Sequence, residues 1–197
     1  MILALAVVVG LIASLIRYRG GALDRIAAIS LRWAWLVPLA LALQWPLLRA
    51  PAGLREQIGV QQVLFWASHL LLLAFVGLNW RSNAIRIVGL GVLCNLIVIL
   101  ANGGLMPVTP ETLVQINPGT SLGQWPAGAH YGYSKDVIVA KQNAVLWPLS
   151  DILVLPAPFP WPAAFSLGDL IIAIGIIILL QGSPTSLRVL TVESRQV

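Results

Sequence analysis

Two aspartates lie in apolar parts of the sequence, where a carboxylate could take part in catalysis or binding. Asp169 lies in FSLGD, directly before the apolar run LIIAIGIIILL, and Asp151 lies in WPLSDILVLP. Carboxylates at such positions can act as an acid or base, and two of them together can bind a cation or a basic group. The alternative for Asp169 is a helix start, because Ser166 and Asp169 have the S-x-x-D spacing of a capping box. Asp151 can likewise form a turn or cap with Ser150. Both interpretations stay open from the sequence.

His69 is the second candidate, since it lies inside the apolar segment that contains SHLLLLAF. An ionisable residue in such a segment is expected to face the protein interior and to have a partner there. Three roles follow: a neutral imidazole bonded to a neighbouring helix, an axial ligand of a haem or chlorophyll-type pigment, or part of a small-molecule pocket. Asn95 in the fourth segment is a candidate partner, because amide side chains often join membrane helices, and with His69 it is a candidate intramembrane ligand.

The known catalytic motifs are missing from the sequence. It contains no G-x-S-x-G, no H-E-x-x-H and no Walker loop. Cys94 is the single cysteine, so an internal disulfide is excluded. We therefore expect a non-catalytic protein without a metal or a resident cofactor, while pigment, quinone and lipid stay open as ligands.

A run of three residues after the fourth apolar segment, Asn102–Gly103–Gly104, is too short for a phosphate-binding loop. Its glycines suit a helix C-cap. Together with the two aspartates this run defines a candidate site at the outer rim of the protein, the rim site. Its members are Asn102, Gly103, Gly104, Asp151, Ser166 and Asp169.

The composition indicates the elements that must position these residues. Of the 197 residues, 58% are hydrophobic and 10% are charged, and mean hydropathy is +0.88. Soluble domains carry about 25% charged residues, so the sequence is typical of a protein that crosses a membrane several times. The formal net charge is +5, but the basic residues are scattered and form no basic face. We expect membrane lipids and other integral membrane proteins as partners, and no nucleic acid.

Five apolar segments are candidates for membrane-spanning helices, at residues 2–16, 31–48, 63–80, 84–101 and 167–180. The predicted fold is all-α, a polytopic transmembrane bundle of five helices with a long irregular extracytoplasmic loop between helices 4 and 5. Residues 1–102 hold four spans, 103–165 the loop, 166–182 the fifth span and 183–197 a cytoplasmic tail.

Prolines and caps refine this prediction. Pro38 is expected to kink the second helix, and Pro46 to help end it. Thr109 and Pro110 read as the N-cap and first position of a short helix at 110–116. The later stretch DILVLPAPFPWPAAF has too many prolines for a regular helix, so we expect it to lie along the outer membrane surface or between helices.

The basic residues predict the orientation. Arg17 and Arg19 follow the first apolar segment, which favours an N-terminus outside and the next loop inside. With five spans, the C-terminus is then cytoplasmic.

Three strings together resemble a small family of bacterial membrane proteins, domain-of-unknown-function family 5317. They are NLIVILANGGLMPVTPE, LSDILVLPAPFPWP and FSLGDLIIAIGIIILLQ. The resemblance implies five spans in a bacterial inner membrane and draws attention to the outer rim, but it implies no activity. The matching positions are Asn102, Gly103, Gly104, Met106, Pro107, Asp151, Pro156, Ser166, Gly168 and Asp169.

Three functional hypotheses follow. The first is an accessory or scaffold subunit of a larger membrane complex, since small residues such as Gly89, Gly91 and Gly175 permit close helix contact. The second is a carrier or enzyme that handles a lipid, a quinone or a small solute at the rim site. The third is a pigment-binding subunit of a photosynthetic or respiratory assembly that uses His69.

Overall fold

The computed structural model describes residues 2–49, 58–131 and 136–182. The predicted tail at 183–197 lies outside these residues. Seven α-helices occur in this part of the chain: α1 (Ile2–Tyr18), α2 (Ala22–Ala27), α3 (Leu36–Arg49), α4 (Ile58–Leu78), α5 (Asn83–Ala101), α6 (Pro110–Ile116) and α7 (Leu167–Leu180). Four short strands accompany them: β1 (Met106–Val108), β2 (Asp136–Ile138), β3 (Leu153–Leu155) and β4 (Ala163–Phe165).

The described chain is mostly helical, and two of its helical stretches are long and apolar enough to cross a membrane. One is Ile2–Ala27, which joins α1 and α2 through a single 3-10 turn, and the other is α5. Two further apolar stretches, Gln62–Leu78 within α4 and the whole of α7, are shorter.

The second apolar segment differs from its prediction. The helix begins at Leu36, so Pro38 lies in the first turn, where a backbone N–H would have no partner within the helix. The predicted kink at Pro38 is therefore wrong. The helix also continues past Pro46 to Arg49, so the expectation that Pro46 helps to end it is wrong as well.

The long helices pack in the spatial order α1, α7, α5, α4, α3. The last helix in the sequence thus lies between the first and the fifth. Glycines set the closest approach. A Cβ atom added at Gly91 would overlap the carbonyl oxygen of Gly168, and one added at Gly175 would lie 2.9 Å from the backbone nitrogen of Val88. A Cβ atom added at Gly89 would overlap the side chain of Val76 on α4. The expectation of close helix contact at these glycines is confirmed.

The segment between α5 and α7 forms a small cap of helix and strands. Strand β1 pairs in parallel with β2, while the proline-rich stretch supplies β3 and β4, which pair antiparallel. Helix α6 covers this layer, with a core of Val108, Leu113, Ile116 and Ile138. The helix at 110–116 and its cap are confirmed, since Thr109 accepts from the N–H of Thr112. The strands were not predicted, so the description as purely helical is corrected.

Candidate functional site

Three of the predicted site residues meet where α7 begins against the middle of α5. The amide Nδ2 of Asn95 donates to Asp169 Oδ1 at 2.8 Å, and Ser166 Oγ donates to Asn95 Oδ1 at 2.7 Å. The backbone N–H of Asp169 donates to Ser166 Oγ at 2.9 Å and closes the ring. We call this closed set of hydrogen bonds the α5–α7 ring.

The chemistry of the groups fixes each donor and acceptor in the ring. An ionised carboxylate only accepts, so the NH₂ group of Asn95 must face Asp169. The amide oxygen then faces Ser166, whose hydroxyl can donate to it while accepting from the backbone. Asn95 is 3% exposed and Ser166 is fully buried, whereas Asp169 is half-buried. Every hydrogen-bonding direction in the ring is therefore complementary.

The ring confirms part of the predicted capping box and changes the rest. Ser166 has the extended backbone of an N-cap, and its oxygen accepts from the first turn of α7. The Asp169 carboxylate is directed to Asn95 on the neighbouring helix, and it also lies at the positive end of the α7 dipole. The cap thus serves both to begin a helix and to join two helices.

Glycines make room for the ring. A Cβ atom at Gly168 would overlap the amide oxygen of Asn95. Gly91 on α5 lies against the carbonyl oxygen of Gly168. Any larger residue at Gly168 would push α7 away from α5 and lengthen the hydrogen bonds of the ring. The three strings that resemble the family therefore include residues that touch one another in the fold.

Asn102 also forms a reciprocal pair, but with a different segment. Its Nδ2 donates to the carbonyl oxygen of Val145 at 2.8 Å, and its Oδ1 accepts from the N–H of Val145 at 2.9 Å. The amide side chain thus holds the 3-10-rich part of the cap against the end of α5.

The two glycines that follow have the helix-ending role that the sequence predicts. Gly103 has φ +76° and Gly104 has φ +97°, a backbone region that favours glycine. The N–H of Gly104 donates to the carbonyl oxygen of Ile99 at 2.8 Å, which is the long hydrogen bond of a Schellman motif. These residues therefore end α5 and turn the chain toward β1.

Asp151 lies in the interior of the cap, next to β1. It is 3% exposed, and its N–H donates to the carbonyl oxygen of Pro107 at 3.2 Å. Ser150 beside it is fully buried, and its hydroxyl donates to the carbonyl oxygen of Trp147. These contacts place Asp151 against β1, while Asp169 lies against α5. Joint action of the two carboxylates at one rim stays a prediction.

His69 is enclosed in protein on α4. It is 4% exposed, and its Nδ1 lies 2.8 Å from the carbonyl oxygen of Phe65, one turn earlier. Because a carbonyl oxygen only accepts, Nδ1 must carry the proton, and in a neutral ring Nε2 is then an acceptor. The His69 imidazole also contacts the Phe65 side chain edge-on, with 4.8 Å between the two ring centroids. Asn95, the candidate partner of His69, is instead bonded to the start of α7.

The sequence interpretation missed three polar ties between segments. Gln44 on α3 donates to buried Ser68 on α4 at 2.7 Å. Asn79, which is 8% exposed, accepts from the N–H of Arg32 and donates to its carbonyl oxygen. Gln62 donates to the carbonyl oxygen of Gly103. A polar residue inside an apolar run indicates such a tie, but its partner could not be found from sequence.

The chemistry that this arrangement allows is limited. A serine nucleophile needs an adjacent base, whereas Ser166 donates to an amide oxygen, which is not a base at neutral pH. Within residues 2–49, 58–131 and 136–182, no three His, Cys, Asp or Glu side chains come close enough to hold a metal ion. The geometry is that of a structural tie between helices.

The fold and this site define a mostly helical protein with two candidate membrane-spanning helices, whose last helix is tied to α5 by buried polar groups. The model of a family of unknown function, DUF5317, matches residues 28–181, and the chain belongs to this family. The motif resemblance thus identified the family correctly. Comparisons with curated proteins and with solved structures found no match.

Proposed function

We propose that this chain is a non-catalytic integral membrane protein that serves as an accessory or scaffold subunit of a larger membrane complex. The proposal rests on one observation: the polar side chains of the helices bind other segments of this chain. Asn95, Ser166 and Asp169 bind one another, and Asn79 and Asn102 bind backbone groups of other segments. These groups hold segments together, and no set of them has the geometry of a catalytic site.

The outward faces of the long helices support five membrane spans, formed by α1, α3, α4, α5 and α7. In the most apolar 18 residues of Ile2–Ala27 only 17% are buried inside the protein, and Ile16 is 74% exposed. A contiguous exposed apolar surface marks contact with a membrane or a partner. Other strongly exposed apolar side chains on these helices are Val8, Ile12, Leu70, Leu90, Leu100 and Ile174.

The charges of the described residues support an orientation with the N-terminus outside, in a bacterial inner membrane. Six arginines lie at the end of the bundle where α1 and α4 finish and α3 and α5 begin: Arg17, Arg19, Arg25, Arg32, Arg81 and Arg86. The other end carries the acidic residues Glu111, Asp136, Asp151 and Asp169, and its basic residues in the described part of the chain are Arg49 and Lys141. Positive charge favours the cytoplasmic side. Exposed Trp33, Trp35 and Trp80 lie at the arginine-rich end, where indole rings suit the headgroup level.

Labelling in intact cells tests this topology. In a background with Cys94→Ala, single cysteines are introduced at Ser30, at the arginine-rich end, and at Ala127, in the cap; both positions are exposed. A membrane-impermeant maleimide is expected to label the Ala127→Cys protein only, and both proteins after the cells are permeabilised. Equal labelling at both positions in intact cells would show that the proposed topology is wrong.

Purification in a mild detergent, followed by mass spectrometry of the retained proteins, tests the accessory role. We expect other integral membrane proteins in defined stoichiometry, and loss of the chain's stability when they are removed. A stable monomer that retains only lipid would contradict the accessory role, even if the topology is correct.

A site for a lipid, a quinone or a small solute at the rim is a second candidate, and the half-buried Asp169 carboxylate at a helix N-terminus favours it. Asp169→Asn keeps an oxygen that can accept from Asn95, so the α5–α7 ring can form without the charge. If the variant protein folds normally and retains the same lipids and small molecules as wild type after purification in detergent, the rim carboxylate has no such role. Pigment binding by His69 is tested by an absorption spectrum of the purified protein, in which a visible band would favour it.

A further inference from the structure

A cleft between α4 and α5 lies near the arginine-rich end of the bundle, since Trp80 and Arg86 are among the residues that line it. Its volume is about 210 Å³, and its walls are apolar apart from one end. The residues that line it include Leu73 and Gly77 on α4, Trp80 in the turn after that helix, and Arg86, Leu90 and Leu93 on α5.

We propose that this cleft binds one anionic phospholipid, with a segment of an acyl chain between the helices and the phosphate at Arg86. This inference rests on the proposed membrane location. It concerns a different place from the rim site, which lies at the other end of α5.

The size of the cleft favours a hydrocarbon chain over a compact ligand. Pockets that enclose a drug-sized molecule have volumes of about 300–1,000 Å³, and a cavity of about 150 Å³ suffices for benzene. A space of about 210 Å³ therefore suits part of a chain. Seven residues separate Arg86 from Leu93, and at a rise of 1.5 Å per residue the cleft extends about 10 Å along the helix.

The charge at one end of the cleft favours an anionic headgroup. Arg86 is exposed, and its guanidinium donates to Asn83, which holds it near the start of α5. Arginine pairs with phosphate oxygens through its planar set of donors. Trp80 lines the same end and is 59% exposed, as expected of an indole at the headgroup level.

A glycine in the cleft wall allows a clean test. A Cβ atom added at Gly77 meets no other atom within 4 Å, so a side chain there begins in open space, and Gly77→Leu adds bulk at the cleft wall. Gly59 lies on the same helix and is also open, which makes Gly59→Leu a matched control for the change in helix propensity. Arg86→Gln removes the charge at the cleft, and Arg81→Gln removes one that does not line it.

The full chain and these variants are purified in detergent with equal amounts of phosphatidylglycerol and phosphatidylcholine, and native mass spectrometry counts the lipids retained. Wild type, Gly59→Leu and Arg81→Gln are expected to retain one phosphatidylglycerol. Gly77→Leu should lower that fraction about tenfold, because the leucine excludes the chain segment from its contacts. Arg86→Gln should lower the preference for phosphatidylglycerol about fivefold, the effect of one basic residue at an anionic surface.

Three results would overturn the inference: equal retention of the two lipids by wild type, undiminished retention by Gly77→Leu, or a dimer that Gly77→Leu dissociates. The topology labelling is repeated on the same variants. If labelling places Ser30 and Ala127 on opposite sides of the membrane but no lipid is retained, only this inference fails. If the labelling pattern itself fails, the proposed membrane topology is wrong.

Discussion

The α5–α7 ring makes a sharp prediction for Asn95→Leu, which keeps a similar size but removes both the donor and the acceptor of the amide. Two groups lose a partner. The Ser166 hydroxyl is fully buried, so water cannot replace the amide oxygen that it loses. The Asp169 carboxylate is only half-buried and can be hydrated in part. The loss at Ser166 should therefore dominate.

The expected loss of stability follows from these environments. A buried donor left without a partner costs about 1–3 kcal/mol, and a hydrogen bond to a charged group contributes about 1.5–3 kcal/mol before hydration compensates. Hydrogen bonds between membrane helices contribute less, about 0.6 kcal/mol on average, because the unfolded chain in a membrane also finds partners. We expect Asn95→Leu to lower the free energy of unfolding by about 2 kcal/mol.

Reversible unfolding of the full chain in detergent, followed by circular dichroism, measures this loss. Asn83→Leu is the matched control, because it makes the same substitution at an exposed position of α5. It should change the free energy of unfolding by less than about 0.5 kcal/mol. A double-mutant cycle of Asn95→Leu with Asp169→Asn isolates the contribution of the charge. If Asn95→Leu and Asn83→Leu have the same small effect, the ring does not hold α7 to α5 and the reasoning is refuted.

Three further predictions use other close contacts. Gly91→Ala should destabilise the protein by about 1–3 kcal/mol in the same unfolding assay, because its Cβ would overlap the carbonyl oxygen of Gly168; the stabilisation usual for Gly→Ala in a helix would contradict this packing. Thr109→Ala should cost about 1 kcal/mol through loss of the α6 cap, and Thr109→Ser should recover most of it. Asn79→Ala should speed amide hydrogen exchange in residues 28–35, which this side chain anchors; unchanged exchange would show that the anchor is dispensable.

Structural features that depend on only a few neighbouring residues, such as helix caps, were predictable from the sequence. Ser166 and Thr109 were identified as N-caps, and Gly103 as part of a helix end, because each of these roles involves backbone groups within five residues. The start of α7 at Leu167 and the bounds of α6 followed directly.

Features that depend on distant segments were not predictable. Strand β1 pairs with β2 across a long stretch of sequence, and strands of three residues are too short to show a periodic pattern. The late start of α3 at Leu36 accompanies the anchoring of Arg32 by Asn79, which comes from another helix. Hydropathy cannot predict such an anchor, because it describes one continuous segment and carries no information on contacts with other helices.

The sequence by itself determined that the chain is mostly helical and apolar, where α5, α6 and α7 begin and end to within one residue, and which family it belongs to. Only the tertiary structure decided which buried polar groups meet. Asn95 lies 71 residues from Ser166 and 74 from Asp169 in the sequence. An amide in an apolar helix must find a partner, but the partner depends on which helices pack together, and glycines on facing helices decide that by allowing their backbones to touch.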